Sequence, residues 1–383
     1  MAGEMPDVLI HGDTVRSSTM RHEIPLVVPD PFLYAEVGDT RHVVVSSLER
    51  SRLEQLDSGL TVHAFEEFGI DELISAGEER GDAVLKTLVR ATGSLGLERA
   101  VVPSDFPLEL ADGLRATGLR LEVDRRLFED RRRVKTEAEL AGIRRAQAAA
   151  QAGMRAATEL LRRAEPGGPG LLADGEPLSC ERIKEAIRAA VARAGASAGD
   201  ALIVAHGGQT AAGHEMGSGP IQPGEPVVID LWPSDLESAC FADMTRTFVV
   251  GEVPDELRTY HELTRESLER SLEGVRAGVA GKELHRISCE PYERAGLPTQ
   301  LTKAPGEALE EGFYHSLGHG VGLEVHEAPL LGRATDVLVA GDVVTLEPGC
   351  YRQGFGGCRL EDLVLVTEDG AELLTDFPYE LEP

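Results

Sequence analysis

Residues 227–250 read Val-Val-Ile-Asp230-Leu-Trp-Pro-Ser-Asp-Leu-Glu-Ser-Ala-Cys-Phe-Ala-Asp243-Met-Thr-Arg-Thr-Phe-Val-Val. Two β-branched runs, each with a carboxylate at one end, flank the connection 231–242. Paired as antiparallel neighbours, they bring Asp230 and Asp243 onto one face. The same design recurs over 343–367, where Glu347 ends Val343-Val344-Thr345-Leu346 and Glu361 lies in Arg359-Leu360-Glu361-Asp362-Leu363-Val364. Four carboxylates brought together repel one another and raise their pKa values, so such a cluster calls for bound cations or a fold that keeps the acids apart. Between the two pairs, residues 314–327 (YHSLGHGVGLEVHE) supply His315, His319 and His326. His319 is read as the imidazole that completes the cluster. Gly318, Gly320 and Gly322 strip side chains from around it, read as room for backbone or substrate to approach a metal. Four carboxylates and one imidazole form an oxygen-rich site suited to Mn²⁺, Co²⁺ or Fe²⁺ rather than a thiolate zinc site. Two divalent ions neutralise the four negative charges and make their burial tolerable.

The rest of the chain narrows the class. At 383 residues it is too long for one ordinary core, so two domains are expected. Against 38 basic residues stand 66 acidic ones, a net charge of −28, which repels phosphate backbones and excludes nucleic acid as the main partner. No apolar run of about 20 residues is present to span a bilayer, and the first residues lack a basic region ahead of an apolar one. No membrane partner is expected, and the expected address is the cytoplasm. The five cysteines form no CxxC pair and are read as reduced thiols. Gly207-Gly208 lacks the rest of a phosphate-loop motif and is not read as a nucleotide site.

Residues 25–28, 42–46 and 100–102 read as strands and 48–56, 70–76 and 82–92 as helices, an interleaved three-layer α/β domain. The basic run 125–135 (RRLFEDRRRVK) reads as a solvated linker, dividing the chain into domains 1–130 and 131–383. Thr136 and Glu139 have the spacing of a capping box, which predicts a helix over 136–163 that stops at the Pro- and Gly-rich 165–170. A second helix is expected over 179–194. Strands over 202–204, 227–231, 245–250, 343–347 and 360–367, with helices over 254–276 and 282–295, make the C-terminal domain α+β.

The set Asp230, Asp243, His319, Glu347 and Glu361, with the phrases DMTRTF, GHGVGLEVHE, TLEPGCY and RLEDLVLV, resembles the M24 metallopeptidases, the superfamily of methionine aminopeptidase, prolidase and aminopeptidase P. The resemblance covers residues 130–383 and implies the pita-bread fold. The separate N-terminal α/β domain and the RVKTEAEL entry at 133–140 are similar to its creatinase-like Xaa-Pro peptidase branch. Asp230 and Asp243 stand two residues further apart than is usual for the family, read as an insertion in the connecting loop. Asp235 within that loop is a competing ligand.

The resemblance implies a metalloexopeptidase, an Xaa-Pro aminopeptidase or dipeptidase acting through a hydroxide bridging two divalent ions. Mn²⁺ is the first expectation, with Co²⁺, Fe²⁺ or Zn²⁺ as alternatives. The five residues above are the implied metal ligands, and Glu347 is also the implied proton carrier. His214 and His326 are the implied catalytic histidines, with His206 as a rival for His214. His315 and Arg359 are assigned to substrate binding, Arg359 also orienting a carboxylate. The implied partners are a small peptide and a second copy of the chain. A lyase or other small-molecule reaction on the same fold, and a non-catalytic binding module, are the competing readings. Retention of all five ligands speaks against the last.

Overall fold

The computed structural model describes residues 6–56, 59–168 and 170–383. The chain forms two compact units, Met1–Arg132 and Arg133–Pro383. In the first, a six-stranded sheet runs in the order Leu60–Ala64, Thr40–Val45, Phe32–Val37, Val8–Gly12, Arg99–Val102, Arg120–Val123. Alternate residues of a strand face opposite ways. Val8, Ile10, Tyr34, Val43 and Val45 accordingly enter one apolar cluster, and Leu9, Leu33, Ala35 and Val44 enter another on the other face. Helices including Arg80–Ser94 and Leu108–Ala116 cover the sheet and give the expected three layers.

Two expectations for this region need correction. Residues 25–28 are not a strand, because Pro25 and Pro29 remove ladder donors on either side. Val28 is instead held by Thr14, whose Oγ1 accepts from the Val28 N–H at 2.7 Å. The strands in this part of the chain are Val8–Gly12 and Phe32–Val37. Nor is the basic run a solvated linker, since Arg125–Arg133 is a helix. Arg131 donates to Glu23 at 2.7 Å and to Glu36 at 3.0 Å. The Arg133 guanidinium is buried and donates to Asp342 at 2.9 Å.

In the second unit, Thr136 Oγ1 accepts from the Glu139 N–H and the Glu139 carboxylate accepts from the Thr136 N–H, closing the capping box. The helix Glu137–Arg162 that follows buries Ile143, Ala146, Ala150, Met154, Ala157 and Leu161, the three- and four-residue spacing of one helical face. Gly153 lets it pack tightly on the helix Cys180–Arg193, since a Cβ there would lie 3.0 Å from Val191.

Three sheets shape the remainder. One has the order Ile203–His206, Pro226–Leu231, Met244–Val249, all antiparallel. The second runs Glu327–Leu331, Gly318–Gly320, Val343–Leu346, Asp362–Val366, Ala371–Leu373. A small third sheet joins Glu311–Gly312, Gly349–Arg352 and Gly356–Arg359. The helices Asp255–Gly274 and Gly281–Arg294 contribute Tyr260, Tyr292 and Cys289 to a core that also takes Phe313, Cys350 and Cys358. No helix among the described residues is long and apolar enough to cross a membrane.

His285 is fully buried in the helix Gly281–Arg294, edge-on to Phe313 at 5.7 Å. Burial, with the Arg333 charge adding to it, pushes its pKa from 6.5 down to about 4. Between those values the unfolded chain binds a proton that the folded chain does not, so this contribution to stability is complete above 6.5 and shrinks as pH falls toward 4. Urea titrations at pH 7, 6, 5 and 4.5 are expected to show a falling midpoint, with a shallower fall in His285→Phe. An equal fall in both would show that His285 does not carry it.

Candidate active site

The hairpin Pro226–Leu231/Met244–Val249 pairs Asp230 opposite Thr245 and Leu231 opposite Met244, which leaves Asp243 just outside the ladder beside Asp230. Thr245 then reaches across to the second sheet: its hydroxyl donates to Glu361 Oε2 at 2.7 Å, and its carbonyl accepts the Glu361 N–H at 3.0 Å. Glu347 follows the strand Val343–Leu346, and its N–H donates to the Leu317 carbonyl at 2.7 Å. His319 lies in the strand Gly318–Gly320, with its N–H on Thr345 Oγ1. Its Nδ1 lies 3.1 Å from the Gly320 carbonyl, which assigns the proton to Nδ1 and leaves Nε2 as the inward lone pair. That Nε2 lies 3.6 Å from Glu347 and 3.9 Å from Asp243.

All five residues line one cavity of about 580 Å³. Ligand atoms of Asp243, His319 and Glu361 lie within 4.8 Å of one another. Burial first, then the neighbouring carboxylates, pushes Asp243 and Glu361 well above the usual carboxylate range. Burial also raises Glu347, to about 8, against the pull of Arg359. It lowers His319 to about 4, with His326 adding to the shift. Asp230 Oδ1 and Asp243 Oδ1 are buried with no hydrogen-bond partner among the described residues. Buried acceptors are normally satisfied, and two orphaned carboxylate oxygens among four acids fit the positive charge of a cation.

Arg359 is the cation the chain itself supplies. It donates to Asp230 Oδ2 at 2.7 Å, to the Tyr351 hydroxyl at 3.2 Å and to Thr245 Oγ1 at 3.3 Å. These bonds tie the guanidinium to Asp230, and Arg359 also lines the cavity. His315 extends the chain, its Nε2 lying 2.9 Å from the Tyr351 hydroxyl. Burial and the Arg359 charge push the His315 pKa down to about 3.

His214 and His326 also line the cavity, both exposed, and the His326 ring stands edge-on 4.2 Å from His319. The rivals lie elsewhere. His206 is bound to Glu225 at 2.7 Å and does not line the cavity. Asp235 is likewise outside it, clasped by Arg145 and by the Ser238 hydroxyl. Burial alone would raise Asp235, but the Arg145 and Ser238 bonds outweigh it and bring it down to about 2.

The three glycines beside His319 have a different purpose from the one expected. A Cβ on Gly318 would strike the Thr345 carbonyl, and one on Gly320 the Ala328 carbonyl, so close strand packing requires both. A Cβ on Gly322 would sit 2.5 Å from Glu327 Oε1 and 2.7 Å from Lys135 Nζ.

Sequence reading missed the cavity's apolar wall of Ile203, Met216, Trp232 and Val325. A signal for Trp232 was present: it stands two residues after Asp230, on the same side of an extended chain. Thr245 and Tyr351 went unnoticed because neither is charged at neutral pH, though Thr245 bonds Glu361 and Tyr351 bonds Arg359 and His315.

Acids gathered beside one imidazole, opening on a cavity ringed by further histidines, define a site for divalent cations that can act on a polar substrate. Comparison with known proteins agrees. The profile of metallopeptidase family M24 matches residues 141–368. The chain is 39% identical over 181 residues to the Xaa-Pro dipeptidase of Pyrococcus furiosus, a match covering 47% of this chain and 48% of that one, about half its length. It is 30% identical over 295 residues to the probable dipeptidase PepE of Mycobacterium tuberculosis, covering 73% and 68%. Among solved structures, the prolidase of Pyrococcus horikoshii is similar with a TM-score of 0.75 at 27% identity, covering 98% of this chain and 95% of that one. The Xaa-Pro dipeptidase of Bacillus anthracis gives 0.79 at 23% identity, covering 98% and 94%, a likeness of fold. The protein belongs to metallopeptidase family M24 and has the pita-bread fold of its prolidases. Membership of that family implies a divalent metal.

Trp232 is the only tryptophan of the chain, so its fluorescence reports on this cavity alone. Titration of chelator-stripped protein with Co²⁺ or Mn²⁺ is expected to quench it with saturation, and Asp243→Ala to abolish the saturable phase. Unchanged quenching in that variant would place the metal elsewhere.

Proposed function

We propose that the protein is a metal-dependent exopeptidase that hydrolyses the bond preceding proline, in dipeptides or at the N-terminus of peptides. The observation that carries this reading is the cluster Asp230, Asp243, His319, Glu347 and Glu361, with two orphaned carboxylate oxygens, opening on a cavity with an apolar wall. The Xaa-Pro dipeptidase and prolidase relatives supply the substrate class. Two cations balance the four carboxylates, and Mn²⁺ is our first assignment. When bound, the cations supply Lewis acidity toward water and the scissile carbonyl.

The chain's own groups then have distinct tasks. Glu347, about a fifth exposed, faces the cavity. It takes a proton from the attacking water and delivers it to the proline nitrogen as the C–N bond breaks and the C–O bond forms. His326 donates a hydrogen bond to the carbonyl oxygen as charge develops there, and His214, which shares the mouth of the cavity, assists in holding the substrate. His315 and Arg359 act through Tyr351 and Asp230, keeping a ligand in place. The apolar wall suits the pyrrolidine ring. We further propose that residues 1–130 and 131–383 are separate domains, that the enzyme acts in the cytoplasm, and that it works as a homodimer.

Chelator-stripped protein is expected to cleave Ala-Pro or Ala-Pro-Ala only after addition of Mn²⁺ or Co²⁺, and Asp243→Ala to lose at least about 100-fold in kcat. Metal-loaded protein that cleaves neither peptide would contradict the assignment.

A further inference from the structure

The entry motif 133–140 finds no use in the chemistry above, yet one of its side chains ends beneath the active site. Lys135 Nζ pairs with Glu327 Oε1, and both side chains are only 3% exposed. Removing an ammonium and a carboxylate from water costs several kcal/mol per ion, and apolar replacements of such pairs are often no less stable. Stability alone therefore does not account for the pair, whereas fixing a geometry does.

That geometry concerns His326. Glu327 opens the strand Glu327–Leu331 and pairs with Gly320, at a point where the register shifts between His319 and Gly320. His326 directly precedes it. The two neighbours face opposite ways, Glu327 buried against Lys135 and His326 exposed to the cavity. Holding one fixes the rotation of the chain that presents the other. Main-chain bonds also place the segment 321–326: the Val321 N–H donates to the Val343 carbonyl at 2.9 Å, the Gly322 N–H donates to the Glu324 carbonyl at 3.0 Å, the Gly322 carbonyl accepts from the Phe241 N–H at 2.7 Å, and the His319 ring bonds the Val325 backbone. Gly322 is the residue that leaves room for the ion pair, as any Cβ there would fall on both partners.

We infer that Lys135 and Glu327 are positioning residues, a buried charge clamp that holds His326 over the scissile carbonyl. The inference rests on the peptidase reading of the site. Lys135 stands next to Thr136, the cap of the long helix, so the clamp ties the start of that helix to the loop bearing His326.

A double-mutant cycle tests it. Lys135→Gln and Glu327→Gln are each made in the native chain and in His326→Ala, which removes the hydrogen-bond donor and leaves the acid cluster intact to give a residual rate. kcat, KM and bound metal are measured for Ala-Pro hydrolysis with Mn²⁺. In the native chain each substitution is expected to lower kcat about tenfold or more, with metal content unchanged and KM within about twofold. In His326→Ala the same substitutions should add no more than about twofold, because their target is already gone. Equal losses in both backgrounds, no loss in the native chain, loss of metal, or failure of both single variants to fold would overturn the clamp. A native enzyme that binds metal but cleaves no Xaa-Pro peptide would overturn the peptidase reading instead.

Discussion

Four carboxylates and an imidazole line one cavity, largely out of water, with Asp243, His319 and Glu361 within 4.8 Å of one another, and they set the terms for the whole C-terminal unit. Left to themselves the acids would separate or take up protons. The fold prevents separation by borrowing from both sheets at once. The Thr245 hydroxyl and carbonyl hold Glu361, and Arg359 holds Asp230. Next to them Arg246, only 1% exposed, spends all five N–H donors: on the carbonyls of Thr245, Glu361, Phe377 and Pro378 and on the Asp362 carboxylate. Its guanidinium also lies 4.6 Å from the Tyr379 ring centroid. A single side chain thus locks the strand bearing one acid pair against the strand bearing the other and against the C-terminal segment.

Such a frame separates holding from reacting. Of the groups around the acids, Arg246 has every N–H donor committed, and Thr245, Tyr351 and Arg359 bond to one another or to the acids. Those that remain available, His214, His326, Glu347 and the face of Trp232, lie toward the open side of the cavity. The longer connection 231–242 belongs mainly to the frame as well. Ser234–Asp235 pairs with Ala196–Ser197, and Asp235 is held by Arg145, so Trp232 is the part of that loop reaching the cavity.

Much of this is legible in the sequence where a local rule has one solution. Thr136 and Glu139 announce a helix start because two free amides need two acceptors at that spacing. Asp230 and Asp243 stand out because acids at the ends of apolar strands need a reason to be there. The rest depends on partners distant in sequence. The proline-flanked 25–28 reads as a strand and Phe32–Val37 does not, since apolar content says nothing about missing ladder donors. The glycines around His319 are steric: Gly318 and Gly320 are dictated by carbonyls of neighbouring strands and Gly322 by the side chains of Glu327 and Lys135. Lys135 was one more basic residue in a basic run until the fold set it against Glu327, 192 residues away.

Every role assigned to the C-terminal unit depends on the acid cluster being a cation site. Crystals grown with Mn²⁺ and measured for anomalous scattering test this most directly. The prediction is two peaks per chain, about 3.5–4 Å apart, bonded between them to Asp230, Asp243, His319, Glu347 and Glu361. A cluster without anomalous density in crystals of protein that binds Mn²⁺ elsewhere, or peaks bonded to Asp235 in place of Asp230 or Asp243, would contradict it.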